Sequence, residues 1–178
     1  GTITGATATI NGLVGEEQPE VVLTYTGKAN DGTDYSSTEV PTLAGTYTVT
    51  ATVTDGNYNL AKSETQFVIN RANPNLSVSA VPDKNYGDNT FALEVSHDGD
   101  GVLSFASDKE KVATVDADGN VTIKGAGTAT LTVTLAESAN YTAGTADVTI
   151  KVAKTPHGMT VDSIKYEKTY GDKPFAVT

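Results

Sequence analysis

The chain has no cysteine and no tryptophan, and among its 178 residues there are only two histidines and one methionine. Without cysteine there can be no disulfide, no thiolate nucleophile and no Cys-ligated metal. Small secreted animal domains often carry a bridge, so its absence points toward a bacterial origin. Basic residues are in the minority: 12 Lys and Arg face 22 Asp and Glu, for a formal charge of −10. Phosphate recognition needs a basic face, which excludes nucleic acid as an expected partner. The acidity is expected to keep a Thr-rich surface soluble. No apolar run approaches membrane length and no signal-peptide pattern is visible, so no membrane insertion is expected in these residues. Any export signal is expected to lie outside them. Apolar spacing of three and four is missing from every twelve-residue window, so helices are not expected either. Aromatic residues are only 7% of the chain, which leaves Val, Ile, Leu and Ala to build the cores.

What the chain has in quantity is threonine (29) and glycine (17). Much of the threonine lies in one phrase written twice. The first copy is Ala44-Gly45-Thr46-Tyr47-Thr48-Val49-Thr50-Ala51-Thr52-Val53, and the second is Ala126-Gly127-Thr128-Ala129-Thr130-Leu131-Thr132-Val133-Thr134-Leu135. The Ala-Gly pair and all four Thr recur, with apolar residues between them. This period of two predicts a strand with one buried and one wet face. Tyr47, Val49, Ala51 and Val53 share one face, and Ala129, Leu131, Val133 and Leu135 share its counterpart. The Gly before each strand is expected to permit a tight entry turn.

Two further landmarks recur in the same order. An apolar or aromatic residue, Gly and an acid appear as Val14-Gly15-Glu16, Tyr86-Gly87-Asp88 and Tyr170-Gly171-Asp172. The last two continue into Phe91-Ala92-Leu93 and Phe175-Ala176-Val177. Asn57-Tyr58 and Asn140-Tyr141 each precede a closing strand. Repetition of this kind predicts a tandem array. The units are residues 1–71, residues 72–153 and an incomplete third at 154–178.

Strands are expected in the first unit near Ile3–Ile10, Glu20–Tyr25, Thr46–Thr54 and Glu64–Asn70, with a weaker one near Tyr35. Lys28 to Thr33 is expected to be a polar loop. In the second unit they are expected near Asn75–Val81, Thr90–Ser96, Val102–Ala106, Val112–Val115, Val121–Lys124, Gly127–Leu135 and Thr145–Val152. Short strands punctuated by turns such as Asp118-Gly119-Asn120 predict an all-β fold, a β-sandwich of immunoglobulin type. The junction Asn70-Arg71-Ala72-Asn73-Pro74 is short enough to predict an end-to-end rod.

The stretch Ser107-Asp108, Lys111 to Thr122 and Ala126 to Leu131 resembles the bacterial Ig-like group 2 family, which includes the stalk repeats of intimin and invasin adhesins. Tyr25 to Val53, with Pro41-Thr42-Leu43-Ala44-Gly45-Thr46-Tyr47, is similar to MBG-type bacterial Ig-like repeats, as are the Tyr-Gly-Asp openings. The first twenty residues depart from that pattern. The resemblance implies tandem Ig-like sandwiches, export to the cell surface or medium, and a structural or adhesive role. It brings no catalytic residues to transfer.

Residue chemistry likewise leads to the expectation that the chain is not an enzyme. A hydrolase triad needs His beside a nucleophile and an acid, and His97 and His157 are both expected in solvent-exposed loops. No catalytic, cofactor-binding or metal-ligating residue is assigned, and no cofactor is expected. Asp116-Ala117-Asp118-Gly119-Asn120 is the best calcium candidate, but the EF-hand positions for Gly and Glu fall on Val121 and Gly127, so a hairpin turn is expected instead. Asp98 with Asp100 is likewise read as a solvated turn, and Glu64, Asp83, Asp88 and Asp162 are too scattered for an inter-domain ion. Glu16, Glu17 and Glu110 lie on loops and form no glycosidase pair. Tyr25, Tyr35, Tyr58, Tyr86 and Tyr141 could form a sugar-stacking platform, although such residues more often seal sandwich ends. The inward positions are read as holding no Lys, which argues against a Lys–Asn crosslink.

The leading expectation is a non-catalytic stalk or spacer of a bacterial surface or secreted protein, with neighbouring Ig-like repeats as its partners. The rivals are a module binding host glycan or protein, and an accessory domain of a secreted polysaccharide-active enzyme. For residues 154–178 strand addition is expected, the segment around Val161–Tyr166 pairing with an exposed sheet edge of its own second domain or, as a strand-swapped contact, of a neighbouring molecule.

Overall fold

The computed structural model describes residues 5–53, 62–160 and 169–171, so the strand addition expected around Val161–Tyr166 lies outside the described residues. Among the described residues the regular structure is entirely β. Strands β1 (Val21–Ala29), β2 (Asp34–Ser37), β3 (Gly45–Val53) and β4 (Lys62–Ile69) form an antiparallel N-terminal sheet in the order β2-β1-β3-β4. Next come β5 (Ser77–Val78), β6 (Lys84–Asn85), β7 (Phe91–Ala92), β8 (Val95–Ser96) and β9 (Leu103–Ser107). They are followed by β10 (Ala113–Val115), β11 (Asn120–Ile123), β12 (Gly127–Leu135) and β13 (Gly144–Ala153). These nine strands make a four-stranded sheet β6-β13-β12-β9, a three-stranded sheet β10-β11-β7 and the pair β5-β8.

The C-terminal assembly is a sandwich closed by one core. Ala129 and Leu131 on β12 and Val148, Ile150 and Val152 on β13 pack against Ala113 and Val121 of the facing sheet. Ala129, Leu131, Val133 and Leu135 are all at most 1% exposed, while the Thr residues between them are more open. The alternation therefore maps onto the two faces as the period demands. Lys84, on β6, departs from expectation. It is half-buried with Nζ 4.5 Å from the Phe91 ring centroid, a cation–π contact at the edge of the core.

The N-terminal sheet holds the same phrase differently. Tyr47 and Val53 are buried, but Val49 and Ala51 between them are only half-buried. Its core is an aromatic cluster at one end of the sheet. Tyr47 lies 5.7 Å from Phe67 and 5.8 Å from Tyr35, and Phe67 meets Tyr25 edge-on at 6.2 Å. The strand expected over Ile3–Ile10 does not form at residues 5–10, and residues 1–4 lie outside the described residues. The segment instead crosses the open face, tied by the Ala6 amide donating to the Tyr25 hydroxyl at 3.2 Å. Ala6 and Ala8 are too short to fill the space above Leu23, Val49 and Ala51, and a groove of about 480 Å³ remains.

Other departures have local causes. The expected strand Thr90–Ser96 is split, because β7 pairs with β11 whereas β8 pairs with β5 in a separate two-stranded sheet. Between them the Leu93 amide donates to Gly119 and the Glu94 carbonyl accepts from Ser79. β6 was not expected, since its stretch has no alternation. It is made by parallel pairing with the end of β13, Val152 opposite Lys84. β1 extends to Ala29, so the expected loop from Lys28 starts later. Gly45 does not need its freedom for an entry turn. A Cβ there would lie 2.4 Å from the Lys28 carbonyl oxygen and 2.7 Å from Ala29 Cα, so glycine is required by the close approach of β1.

Candidate functional site

A set of long-range polar contacts lies where the N-terminal sheet meets the sandwich. One hairpin loop, residues 136–143 between β12 and β13, makes most of them. The loop is first closed on itself: the Ser138 amide donates to the Tyr141 carbonyl at 3.0 Å and the Tyr141 amide to Ser138 Oγ at 3.2 Å. That turn presents Asn140 at its tip. Asn140 Oδ1 accepts the Ala44 amide at 2.9 Å, and its backbone carbonyl accepts the Ala72 amide at 2.8 Å. One residue thus holds the N-terminal sheet and the connecting segment together.

The other side of the contact is equally prepared. Asn30 sits in the β1–β2 turn, where Thr33 donates to Asp31 Oδ1 at 2.8 Å and Gly32 to the Ala29 carbonyl at 2.9 Å. Its amide donates to the Ala44 carbonyl at 2.8 Å, while its side chain donates to the Ala139 carbonyl at 3.1 Å. Arg71 Nε donates to the Ser138 carbonyl at 2.8 Å, and its guanidinium pairs with Glu137 at 3.3 Å. Ala72 forms a parallel bridge with Tyr141, and its carbonyl accepts from the Thr142 amide at 2.9 Å. Beyond it Pro74 is fully buried, and Asn75 takes φ 50°, a left-handed conformation that asparagine tolerates, with its amide donating to Asn73 Oδ1. The connection is a packed joint rather than a tether. Each such bond adds about 0.5–1.5 kcal/mol net, and the half-exposed ion pair about 1 kcal/mol at most.

Among the described residues, those weighed for chemistry are not brought together. His97 is half-buried, not solvent-exposed as expected, because Nδ1 bonds the Gly99 carbonyl at 2.8 Å. His157 is exposed. Asp116 uses its carboxylate as a hairpin clasp: Oδ1 accepts the Asp118 and Asn120 amides at 3.0 and 2.8 Å, and Oδ2 the Asn120 side chain at 3.0 Å. Asp98 accepts from Asn75, Asp88 from the Asn85 amide, and Glu64 pairs with Lys62. Asp83, Asp100, Glu16 and Glu110 are exposed at separate places, while Asp162 and Tyr58 lie outside the described residues. Tyr25 is buried in the N-terminal sheet, Tyr35 donates to the Glu39 carbonyl, Tyr141 is in the joint and Tyr86 lies at the far end of the sandwich. These tyrosines do not form one platform. Among the described residues no group of three His, Cys, Asp or Glu could hold a metal ion, and no helix is long and apolar enough to cross a membrane.

The clasp has a pH consequence. Hydrogen bonds from Asn120 hold the Asp116 carboxyl below the usual carboxylate range, and Thr33 does the same for Asp31. A lowered folded pKa means that the unfolded chain takes the proton more readily. The stabilisation is therefore complete above the ordinary carboxylate pKa of about 4 and is lost as pH falls through the lower folded value. Asp116→Asn keeps an acceptor oxygen for the two amides but removes the charge. Its deficit in melting temperature relative to the parent is expected to shrink as pH drops from about 6 to about 2.5. A constant deficit over that range would show that the clasp does not titrate.

Sequence reasoning marked Asn140-Tyr141 as a landmark but missed its role and missed Asn30 altogether. The signal available was an Asn-Tyr pair repeated at the same place before each closing strand.

Comparison with known proteins locates the sandwich. Residues 89–137 match the family model of the intimin immunoglobulin-like domain. The match runs from β7 through β12 and ends in the joint loop, within an assembly whose fold is an immunoglobulin-like β-sandwich. Among solved structures, the surface layer protein SbsC, domains 1–6, is 19% identical over 77% of this chain and 20% of its own, with a TM-score of 0.40. The chain thus spans a fifth of that structure. The fibronectin(III)-like modules of CbhA from Clostridium thermocellum are 16% identical, covering 83% and 88% of the two chains at a TM-score of 0.33. Drosophila N-cadherin EC1-3 is 12% identical, covering 76% and 56% at 0.35. A search of curated proteins finds no match.

Proposed function

We propose that this chain is a non-catalytic spacer from the stalk of a bacterial surface or secreted protein, built to hold what it carries at a set distance and angle. The observation that carries the reading is the joint: a loop of one assembly hydrogen-bonded to a turn, a strand entry and the connecting segment of the other. A flexible tether would not need a side chain placed on both sides at once. In this reading residues 1–71 are an MBG-type domain, residues 72–153 a group 2 Ig-like domain, and residues 154–178 open a third. Strands of nine or ten residues give each domain about 30 Å of ladder length along the rod. An adhesive role would come from whatever the rod presents.

The absence of cysteine makes the test direct, since spin labels can be placed at will. Ser36→Cys on β2 and Ala106→Cys on β9 put one label on each side of the joint, both at exposed positions. Electron–electron resonance is expected to give one narrow distance distribution. Asn140→Ala leaves the Ala44 amide, in a residue only 4% exposed, without its acceptor, at a cost of about 1–3 kcal/mol. Together with Arg71→Ala it is expected to broaden the distribution while both assemblies stay folded. An equally broad distribution in parent and variant would refute the fixed joint.

A further inference from the structure

The joint has a counterpart at the far end of the sandwich, and there nothing covers it among the described residues. The ladders set the correspondence. Gly45 pairs with Ile69 on β4, and Gly127 pairs with Val152 on β13. Two residues beyond each partner comes a basic residue, Arg71 in one case and Lys154 in the other. The preceding alanines likewise correspond, Ala44 with Ala126. Ala44 is 4% exposed beneath Asn140, whereas Ala126 is exposed and its amide has no hydrogen-bond partner among the described residues. Ala126, Gly125, Lys124, Lys154, Thr155 and Tyr86 surround a shallow depression of about 460 Å³. Tyr86 is 54% exposed beside it.

We infer that this end of the sandwich is a seat for the closing hairpin loop of a following immunoglobulin-like unit. An asparagine at the tip of that loop would accept the Ala126 amide, and an acid in it would pair with Lys154. The occupant is named by the chain's own repetition. Tyr170-Gly171-Asp172 and Phe175-Ala176 repeat Tyr86-Gly87-Asp88 and Phe91-Ala92 at the same internal spacing. They follow Lys154 at nearly the interval by which the first set follows Arg71. A unit of the same plan thus starts where its last loop would fold back onto Ala126, as residues 136–143 fold back onto Ala44. Two cations, Lys124 and Lys154, beside an otherwise acidic chain suit the acidic loop type seen in Glu137. This inference rests on the fixed-joint reading.

The test is a chain in which residues 1–154 are followed by residues 72–178, so that a second sandwich follows Lys154 directly. Amide hydrogen exchange by NMR reads the seat. Two Ala126 signals are expected, one as fast as in the parent chain and one slowed on the order of tenfold or more. Asn140→Ala in the added copy alone is expected to release the slow one. If both Ala126 amides exchange at the parent rate while Ala44 is protected, the seat is refuted and the joint stands. If Ala44 also exchanges freely in the parent chain, the joint reading falls and the seat falls with it.

Discussion

Replacing Leu131 by alanine is expected to cost about 2–5 kcal/mol of stability, the range for emptying a closed core site. Leu131 is fully buried on β12, between Val148 on the neighbouring strand and the facing sheet that carries Ala113 and Val121. The sandwich is closed on both sides there, so it can relax only partly into the space left. The informative comparison is Val49→Ala, at the same place in the repeated phrase. Val49 is half-buried and borders the groove beneath residues 6–11, where part of its surface already meets solvent. Its truncation is expected to cost about 1 kcal/mol. Thr130→Ala should cost under about 1.5 kcal/mol, because Thr130 points to the other face and the bonds holding its backbone to Asp108 do not involve its side chain. Urea denaturation followed by circular dichroism measures all three. Equal losses at Leu131 and Thr130 would overturn the face assignment, and equal losses at Leu131 and Val49 would mean that the N-terminal sheet is covered as fully as the sandwich.

Gly45→Ala is expected to be as damaging, by about 3 kcal/mol or more, for the opposite reason. The added carbon would meet the Lys28 carbonyl oxygen at 2.4 Å and Ala29 Cα at 2.7 Å, both backbone atoms of the paired strand. Neither can swing aside as a side chain would. β1 and β3 must separate at the Ala29–Gly45 pair, next to the Ala44 amide on which Asn140 sits. The loss should therefore appear twice, as reduced stability and as faster exchange at Ala44. Gly32→Ala is the control: it has φ 89° but nothing within 4 Å of the added carbon, so it bears only the cost of a left-handed alanine, about 1–2 kcal/mol. A Gly45→Ala chain as stable as Gly32→Ala would show that the strands tolerate a wider spacing there.

The proposed fixed joint also says where a spacer of this kind would be sensitive to substitution. The side chains that would set the angle, Asn30, Arg71 and Asn140, belong to loops and a connector, where substitution loosens the joint without opening either core. The residues that make the sandwich itself are elsewhere. Stability and geometry should accordingly be separable by mutation.

Alternation of Thr with apolar residues was enough to place β3 and β12, their faces and the all-β class, because strand periodicity is a local property of the chain. The Asp116–Asn120 hairpin was legible for the same reason, since Asx and Gly turn chemistry acts over a few residues. Nothing local separates Val49 from Leu131. Their burial differs because two sheets close over one and a segment of small residues crosses near the other, which is a long-range outcome. β6 exists only through its parallel partner β13, and the split of residues 90–96 into β7 and β8 depends on which sheet each half can reach. Asn140 looked like a repeated mark without a purpose. Its purpose lies in bonds to Ala44 and Ala72, far away in sequence, and only the tertiary structure brings those amides to its oxygens. Pairwise periodicity determined the strands; which strands share a core, and which loop locks two assemblies together, was decided by packing across the whole chain.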